Sequence, residues 1–282
     1  MTRTWLITGS SQGLGKALVL AALEAGDRVV ATSRKPEALA SLVAEHPERL
    51  AAVALDVTSP AQAREVVAAA VQRFGSIDLV VNNAGYATSG SIEDFPEEEF
   101  RAQVEANLYG VVNVTRAVLP VMRGQRSGHI VQISSIGGRV GGTPGLGAYQ
   151  TAKFAVEGFS EVLANEVAPL GIKVTIVEPG GIRTGWATGA AQPSGPITPD
   201  YEQTVGAWLD RFAQYAGNEP GDPDRMARAI VDTVDTVDTV EPPRRLLLGS
   251  DALGIAISSE EGRIAEANSW AEVSRSTDYP TA

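Results

Sequence analysis

Short apolar segments alternate with helical patterns through the first 180 residues, and this alternation restricts the fold more than any other feature of the chain. The segments are rich in Val and Ile and apolar on both faces, which is typical of parallel strands covered on both sides. Strands are predicted at residues 5–8, 28–33, 50–55, 77–82, 129–134, 173–178 and 245–248. The pattern therefore indicates a parallel sheet of about seven strands.

Helical patterns fill the intervals, at residues 13–25, 60–74, 97–106, 109–122 and 149–168. The helix at 60–74 has the clearest start, because Ser59 can cap it, Pro60 suits its first turn and Gln62 completes a capping box. Strand–helix–strand repeats of this kind connect through right-handed crossovers. The expected fold is α/β, a doubly wound parallel sheet with helices on both faces.

A length of 282 residues fits one large α/β domain, which is predicted to span 1–250. Residues 185–221 are rich in Gly, Pro, Thr and Ala, with a candidate helix at 201–215, and are predicted to form a lid or substrate loop. Residues 251–282 form a C-terminal extension that is expected to be partly helical, at 264–273. The Val-Asp-Thr repeat at 231–240 is interpreted as a helix end with exposed Asp and Thr.

Charge and composition exclude several classes of function. The net charge is −11, so neither nucleic acid nor an anionic membrane is an expected partner. The chain has no cysteine and only two histidines, which leaves no disulfide, no thiolate chemistry and little basis for a metal site. No segment reaches the ~18–20 apolar residues of a membrane span, and the N-terminal apolar run is too short for a signal peptide. A cytoplasmic location is expected.

A glycine-rich turn, Thr8-Gly9-Ser10-Ser11-Gln12-Gly13-Leu14-Gly15, joins the first strand to the first helix. A pyrophosphate requires backbone N–H donors at a helix N-terminus and no obstructing side chain. Such turns also occur for packing reasons alone, but the position after the first strand favours a dinucleotide site. Its predicted contacts are Gly9, Ser11, Gln12, Gly13, Leu14 and Gly15.

The end of the second strand indicates which dinucleotide. An acidic residue there would bind the ribose 2′-hydroxyl of NAD, whereas a cation accommodates a 2′-phosphate. Here Ser33 is followed by Arg34 and Lys35, and no carboxylate occurs before Glu37. We expect Arg34 to contact the 2′-phosphate, with help from Ser11, Ser33 or Lys35, so that NADP(H) is preferred over NAD(H). The alternative is a solvated Arg-Lys pair at a helix start.

Tyr149 and Lys153 are spaced i and i+4, which places them on one face of a predicted helix. A phenol has an unperturbed pKa of about 10, and a nearby ammonium favours the phenolate and lowers that value. The pair is therefore a plausible general acid/base for a carbonyl or alcohol oxygen. Ser135 ends the fifth strand, where ligand groups gather in open α/β sheets, and Asn107 lies between two helical stretches.

These motifs together resemble the short-chain dehydrogenase/reductase family, in its smaller single-domain branch with a Rossmann-like fold. The resemblance rests on the glycine turn, Asn82-Asn83-Ala84-Gly85, Asn107, Ser135, Tyr149-x-x-x-Lys153 and Pro179-Gly180. It covers about residues 4–184, with a continuation at 243–251. Two details depart from the family pattern: the separation of Ser135 and Tyr149 is one residue longer than usual, and Gln12 stands where NADP-preferring relatives often carry a cation.

The resemblance implies a role for each residue. Tyr149 exchanges the proton with the substrate oxygen, Lys153 lowers the pKa of Tyr149 and bonds the nicotinamide ribose, Ser135 orients the carbonyl, and Asn107 holds a water. Further cofactor contacts are implied for Asp56, Val57, Asn83, Ala84, Gly85, Pro179, Gly180, Ile182 and Thr184. From the residues alone, Asn107 could instead be a helix cap and Asp56 a turn residue, and Ser134 could face the site in place of Ser135.

The expected activity is reversible NADP(H)-dependent reduction of a ketone or aldehyde to an alcohol, as in a carbonyl reductase. The alternatives are a non-catalytic protein that senses NADP(H) and, less favoured, an epimerase or dehydratase acting on nucleotide sugars. The expected partner is a small-molecule carbonyl or alcohol substrate. A bulky apolar compound, such as a steroid-like, retinoid-like or aromatic carbonyl, is suggested by aromatic residues in the lid, which suit a pocket, a core or a subunit interface alike: Trp186, Tyr201, Trp208, Phe212 and Tyr215. The resemblance also implies a homodimer or homotetramer through the helices near 96–122 and 149–168.

Overall fold

All seven predicted strands are present in one parallel sheet of the computed structural model, which describes residues 2–235 and 241–279. Their bounds are β1 Thr4–Thr8, β2 Arg28–Ser33, β3 Leu50–Ala54, β4 Leu79–Asn82, β5 Gly128–Ile133, β6 Ile172–Pro179 and β7 Arg245–Leu248. The strand order is β3-β2-β1-β4-β5-β6-β7. The order reverses between β1 and β4, which creates the crevice where open sheets of this kind bind ligands.

The strands are apolar on both faces because helices cover both sides. In β1, Trp5 and Ile7 belong to the core on one face, and Leu6, between them, belongs to the core on the other. All three side chains are at most 1% exposed. A strand with one solvated face would alternate apolar and polar residues instead, so this burial explains the continuous apolar runs of the sequence.

Two layers of helices enclose the sheet. The first face carries α1 and α10 together with the short α2, and the second carries α3, α5 and α7. The α-helices are α1 Gly13–Glu24, α2 Ala40–Glu45, α3 Pro60–Phe74, α4 Glu97–Val104, α5 Gly110–Gln125, α6 Ile136–Arg139, α7 Gly147–Val167, α8 Gly185–Ala190, α9 Ala207–Tyr215, α10 Pro223–Asp235, α11 Ser250–Ser269 and α12 Ala271–Arg275. The doubly wound Rossmann-like fold is confirmed.

The helix α3 has the bounds that its sequence predicts, with one difference in its cap. The Ser59 hydroxyl accepts a hydrogen bond from the Gln62 backbone N–H at 3.3 Å. The Gln62 side chain, however, accepts from the Asp56 N–H at 2.8 Å rather than from Ser59. The Ser59 N–H is already bonded to the Asp56 carbonyl, so the expected capping box is only half formed.

Two regions differ from the sequence-based expectation. The helices α4 and α5 are continuous through a π-helical turn, Glu105–Tyr109, instead of being separated. The C-terminal region is helical from Ser250 onward rather than only at 264–273. Only Ala252 and Ala256 of α11 are buried, so the helix shows almost no apolar stripe from which it could have been predicted.

The Val-Asp-Thr repeat falls partly within α10, where Val231 and Val234 are buried. The remaining part, residues 236–240, lies outside the described residues. Within the described ranges no helix is long and apolar enough to cross a membrane.

Candidate active site

The predicted site residues lie along one edge of the sheet, where β1, β2, β4, β5 and β6 end. Parallel strands all present their carboxyl ends at the same edge, so loops that are far apart in sequence meet there. The loops concerned are the glycine turn after β1, the segments after β4 and β5, and the segment after β6.

The glycine turn has the geometry of an anion cradle. Gly9 and Gly13 have φ angles of 68° and 56°, in the left-handed region that favours glycine. A Cβ on Gly15 would stand 2.3 Å from the Gly9 carbonyl oxygen, so no other residue fits there. Gln12 is the N-cap of α1 but makes no capping hydrogen bond, and the first turn has no acidic residue. The helix N–H groups and dipole are left to a ligand, which fits a pyrophosphate.

The remaining predicted residues of this turn differ in how far their side chains are exposed to solvent. Ser11 and Gln12 reach the surface, whereas Leu14 is buried in the core on the first face of the sheet. Leu14 can therefore offer a cofactor its backbone but not its side chain.

The segment after β4 is fastened to the glycine turn by Thr8. The Thr8 hydroxyl accepts hydrogen bonds from the backbone N–H groups of Asn83 at 2.9 Å and Ala84 at 3.0 Å. The Asn83 amide donates to the carbonyls of Thr8 and Gly9. A Cβ on Gly9 would stand 2.8 Å from the Ala84 Cα. The Asn83 side chain therefore supports the glycine turn, and only the remainder of this segment is free to line a ribose.

Arg34 is exposed at the end of β2, and it forms no hydrogen bond or ion pair with any residue of 2–235 or 241–279. Its charge lowers the pKa of Tyr86, although burial and Glu99 raise that pKa on balance. An exposed guanidinium thus lies close enough to the segment after β4 to act on Tyr86.

Asp56 and Val57, which follow β3, are both held by their surroundings. The Asp56 carboxylate accepts from the backbone and the hydroxyl of Thr58 at 3.0 and 2.8 Å, so it does shape a turn. The Val57 carbonyl accepts from the Asn113 amide at 3.0 Å. A Cβ on Gly110 would stand 2.6 Å from Val57, so the start of α5 packs directly against this loop.

The segment from Pro179 to Thr184 follows β6 and turns back toward the glycine turn. The Gly180 N–H donates to the Leu248 carbonyl at 2.9 Å. Ile182 packs against the core and pairs with Gly221. The Thr184 hydroxyl caps α8 by accepting from the Trp186 N–H, and its methyl lies 3.4 Å from where a Cβ on Gly13 would stand. Thr184 is thereby next to the expected pyrophosphate position.

Asn107 occupies the middle of the π-helical turn and is fully buried. Its Nδ2 donates to the carbonyls of Tyr86 at 2.8 Å and Gln103 at 2.9 Å, whereas its Oδ1 has no partner among the described residues. Oδ1 and the Lys153 Nζ both lie within 4 Å of the point where a Cβ on Gly85 would stand. Asn107 is not a helix cap, and its free acceptor is directed toward the lysine.

Ser135 follows β5 and is the N-cap of α6. Its Oγ accepts a hydrogen bond from the Gly137 N–H at 3.0 Å. This bond occupies an acceptor lone pair and leaves the hydroxyl hydrogen for another partner, and Ser135 is hydrogen-bonded to Tyr149. Ser134, by contrast, points into the protein, where its hydroxyl is buried. Ser135 is the serine that faces the site, in spite of the one-residue difference in spacing.

Tyr149 lies near the start of α7 and is 7% exposed. Burial raises the pKa of its phenol to about 12, while the hydrogen bond with Ser135 acts in the opposite direction. This differs from the expectation that Lys153 lowers this pKa. The Lys153 Nζ lies 5.7 Å from the Tyr149 ring centroid and donates to the Ile133 carbonyl at 2.8 Å. Burial of the phenol, and not the lysine, is therefore the larger influence on the pKa of Tyr149.

The lid places aromatic rings over Tyr149. The rings of Tyr149 and Trp186 have centroids 4.9 Å apart, and Trp208 stacks on Phe212 at 4.6 Å. The three lid residues pack against a small apolar cluster that contains Tyr149, together with Ala87, Leu146 and Ala190. Tyr201 points elsewhere and donates its hydroxyl hydrogen to Glu93.

The segment predicted to form the lid, residues 185–221, is fastened in its interior and at its last residue. In the interior, Asp94 accepts from the backbone and hydroxyl of Thr198 at 2.9 and 2.6 Å. At the end, Gly221 donates to the Gly181 carbonyl and accepts from the Arg183 N–H, both at 2.9 Å. The last residue of this segment is thus held against the segment after β6.

Three residues with a part in this geometry are missing from the sequence-based prediction. Thr8 lies within the glycine motif but has no assigned role. Asp251, whose carboxylate accepts from the Gly181 N–H at 2.8 Å, ends the 243–251 continuation but has no assigned role. Glu157, which is buried beside Arg245, has no motif signal, although it repeats the four-residue spacing of Tyr149 and Lys153 along α7. That spacing could have indicated that Glu157 shares their helix face.

Comparison with known proteins agrees with this arrangement. The family model described as short chain dehydrogenase matches residues 3–194. The protein called oxidoreductase BOA17 of Botryotinia fuckeliana is 50% identical over 275 residues, which are 97% of this chain and 98% of that protein. A 3-ketodihydrosphingosine reductase of Bacteroides thetaiotaomicron is 44% identical over 181 residues, 64% of each protein. The chain therefore belongs to the short-chain dehydrogenase/reductase family.

Solved structures support the same conclusion. A short-chain dehydrogenase from Streptomyces avermitilis has a TM-score of 0.88 and 41% identity, with 99% of this chain and 100% of that chain covered. Two further structures share the fold at lower identity. A short chain dehydrogenase/reductase from Burkholderia phymatum in complex with NAD is 21% identical with a TM-score of 0.79, and the match covers 100% of this chain and 98% of that chain. An alcohol dehydrogenase from Thermococcus sibiricus complexed with 5-hydroxy-NADP is 24% identical with a TM-score of 0.71, and the match covers 88% of this chain and 96% of that chain. The chain is a nicotinamide-dependent oxidoreductase acting on CH–OH or C=O groups.

Proposed function

We propose that this protein reversibly reduces a ketone or aldehyde to an alcohol with NADP(H), using Tyr149 as the proton donor. The observation that carries the proposal is the convergence of Ser135, Tyr149, Lys153 and Asn107 at the carboxyl edge of the sheet, beside a glycine turn that fits a dinucleotide. The bound nicotinamide would supply the hydride for reduction and accept it in the reverse direction.

The proton chemistry follows from the contacts of these residues. The Tyr149 phenol, with its pKa raised to about 12 by burial, is protonated at neutral pH and can give its proton to the carbonyl oxygen as negative charge develops there. The Ser135 hydroxyl donates a second hydrogen bond to the same oxygen. A water between the free Oδ1 of Asn107 and the Lys153 ammonium would let the proton be replaced from solvent.

Replacement of Tyr149 by Phe tests this role. Tyr149→Phe keeps the ring that packs on Trp186 but removes the proton, so kcat should fall by roughly 10³-fold, within the range of general acid catalysis. Binding of NADPH, measured by the fluorescence of the dihydronicotinamide, should stay within about two-fold of the wild type. Substantial turnover by Tyr149→Phe would contradict the role of Tyr149 as proton donor. A wild-type protein that binds NADPH but oxidises none of it with a panel of carbonyl compounds would favour the sensing function.

The preference for NADP(H) is supported by the free guanidinium of Arg34. In water a charge-assisted hydrogen bond to a phosphate is worth about 1.5–3 kcal/mol, or roughly 10–100-fold in affinity. Arg34→Asp should therefore reverse or abolish the preference for NADPH over NADH in kcat/KM. Arg64→Asp is the matched control, since Arg64 is an exposed cation of α3 that is not among the predicted cofactor contacts. An unchanged cofactor ratio in Arg34→Asp would contradict the assignment.

An apolar substrate is supported by the lid. Trp186, Trp208 and Phe212 surround the approach to Tyr149, and the lid residues Asp210 and Glu202 add negative charge at the surface. Such a pocket favours an uncharged carbonyl compound with an aromatic or long apolar portion, and disfavours carboxylates. A higher kcat/KM for carboxylate-bearing ketones than for their neutral analogues would contradict this preference.

A further inference from the structure

A buried carboxylate stands directly behind Lys153. Glu157 is one helical turn beyond the lysine on α7 and is 6% exposed. The Lys153 Nζ donates to the Ile133 carbonyl at the end of β5, at 2.8 Å. The hydroxyl of the next residue, Ser134, is buried and makes no hydrogen bond with a described residue.

The cation nearest to Glu157 is shared among three carboxylates. Arg245 of β7 contacts Glu157 with Nη2 at 3.1 Å and the fully buried Glu178 of β6 with Nε at 3.0 Å. Its Nη1 contacts Glu161, one turn further along α7. One guanidinium cannot neutralise three carboxylates, so Glu157 is only partly compensated by it.

Other charged groups around Glu157 do not complete that compensation. Arg139 of α6 is paired with Glu178 and with Glu260, and Arg244, just before β7, acts on Glu161. Neither oxygen of Glu157 has an aligned hydrogen bond with a described residue. A buried carboxylate with so little compensation destabilises the fold unless another charge lies near it.

The nearby charge is the ammonium of Lys153. Burial removes water from the ammonium and lowers the pKa of Lys153 to about 8, and the negative charge of Glu157 is the effect that opposes this fall. Without such an anion, a lysine this deeply buried would lose its proton within the physiological range. The negative charge of Glu157 therefore favours the charged form of Lys153 across one turn of α7, while burial raises the pKa of Glu157 itself and Arg245 opposes that rise.

We propose that Glu157 is a positioning residue for the reductase reaction: its buried carboxylate, held by Arg245, keeps Lys153 charged and available to the site. Only the expected effect of Glu157 on turnover rests on the proposed reductase function. The electrostatic coupling itself is a property of the protein without cofactor or substrate.

The experiment compares Glu157→Gln with Glu161→Gln in the full chain without cofactor. The chain has four lysines, so the ¹³Cε resonances of labelled lysine can be followed through a pH titration, with Lys153→Arg identifying the signal of Lys153. Glu157→Gln should lower the Lys153 titration midpoint by roughly one pH unit. Glu161→Gln removes an exposed carboxylate of the same helix and the same arginine, and should leave the midpoint unchanged.

Turnover gives the second readout. Activity that needs charged Lys153 is lost as the pH rises through the pKa of that residue, so the alkaline limb of kcat/KM in Glu157→Gln should move to lower pH by the same amount. A Lys153 midpoint that does not move in Glu157→Gln overturns the inference. A midpoint that moves while the pH profile does not move overturns the part of the inference that concerns turnover, and also the role proposed for Lys153.

Folding of the variant is expected, because Arg245 keeps Glu178 and Glu161 as partners in Glu157→Gln. If Glu157→Gln does not fold, Glu157→Asp serves instead, since it keeps the charge but withdraws it by one methylene. It should lower the Lys153 midpoint by a smaller amount, and an unchanged midpoint there also overturns the inference.

Discussion

The buried carboxylate of Asp27, at the amino ends of the strands, has both oxygens hydrogen-bonded, whereas Glu157, Glu219 and Asp251 each have at least one buried oxygen without a partner among the described residues. Asp27, just before β2, accepts from the backbone N–H of Arg3 at 2.9 Å, from its guanidinium at 3.0 and 3.2 Å, and from the Trp5 indole at 2.7 Å. Asp78, just before β4, accepts from the Thr4 N–H at 2.8 Å. These carboxylates fasten the start of one strand to the start of the next.

At the opposite edge, Glu157 has no aligned hydrogen bond, and one oxygen each of Asp251 and Glu219 is buried without a partner among the described residues. Asn107 has the same feature in an uncharged group. Buried polar atoms are normally satisfied. For these carboxylates, the difference indicates that Asp27 serves the fold alone, while Glu157, Glu219 and Asp251 act on a neighbouring charge or a loop.

The comparison predicts that loss of Asp27 costs stability and not activity. Asp27→Ala leaves the Trp5 indole and the Arg3 backbone without an acceptor, and should lower the free energy of unfolding by about 3 kcal/mol. Urea denaturation measures this loss, and kcat/KM of the folded fraction should stay within about two-fold of the wild type. The control is Asp235→Ala, because Asp235 is the exposed partner of Arg3 and should contribute less than about 1 kcal/mol. A large fall in kcat/KM for Asp27→Ala would contradict the inference that Asp27 contributes only to stability.

The buried imidazole of His129, at the start of β5, should make the free energy of unfolding depend on pH. Burial, then Lys173 and Arg3, lowers its pKa to about 4, below the 6.5 of the unfolded chain. The unfolded chain therefore binds the proton first, so the stabilisation is complete above about pH 6.5 and is lost as the pH falls toward 4. The loss should reach roughly 2–3 kcal/mol.

The variant His129→Gln keeps a group that can hydrogen-bond Thr175, to which the imidazole Nε2 is bonded at 2.9 Å. Its unfolding free energy, measured at pH 7 and pH 5, should change less between the two values than that of the wild type. Equal changes in the two proteins would show that His129 is not neutral in the folded state.

The smallest expected effect is at the carboxyl edge, where Asp251 of α11 accepts from the Gly181 N–H at 2.8 Å. Asp251→Ala releases the segment after β6, so the dissociation constant of NADPH should rise by about 5–10-fold, the equivalent of one hydrogen bond. Unfolding free energy should change by less than about 1 kcal/mol. Asp251→Asn keeps an acceptor and should restore most of the affinity. If Asp251→Ala lost stability but bound NADPH normally, the two edges would not differ in the way we infer.

The sequence was sufficient for features that depend on neighbouring residues. The strand runs are visible because both faces of each strand are buried, and α3 has the predicted bounds because Ser59 and Pro60 define its start within three residues. The glycine turn is equally local, since the positive φ of Gly9 and Gly13 requires the residue type itself. The π-helical turn around Asn107 could not be predicted, because it depends on the carbonyl of Tyr86, which approaches from another loop.

For the site, the sequence predicts which residues lie close together but not the contacts that each of them makes. The Tyr149–Lys153 spacing placed both on one helix face, but the expected lowering of the Tyr149 pKa requires the direction of the lysine, which the Ile133 carbonyl determines. Asp251 is 70 residues from its partner Gly181, and no local pattern connects the two. The same is true of Arg245 and Glu157.

By itself, then, the sequence determined the parallel sheet, the dinucleotide turn and the tyrosine–lysine pair, because hydrophobic period, glycine conformation and helix spacing are properties of short segments. Only the tertiary structure decided how deeply Tyr149 is buried, which way Lys153 points and which carboxylates lack partners. Those properties depend on how much water each group loses and on which distant segments pack against it, and both are set when the loops meet at the carboxyl edge of the sheet.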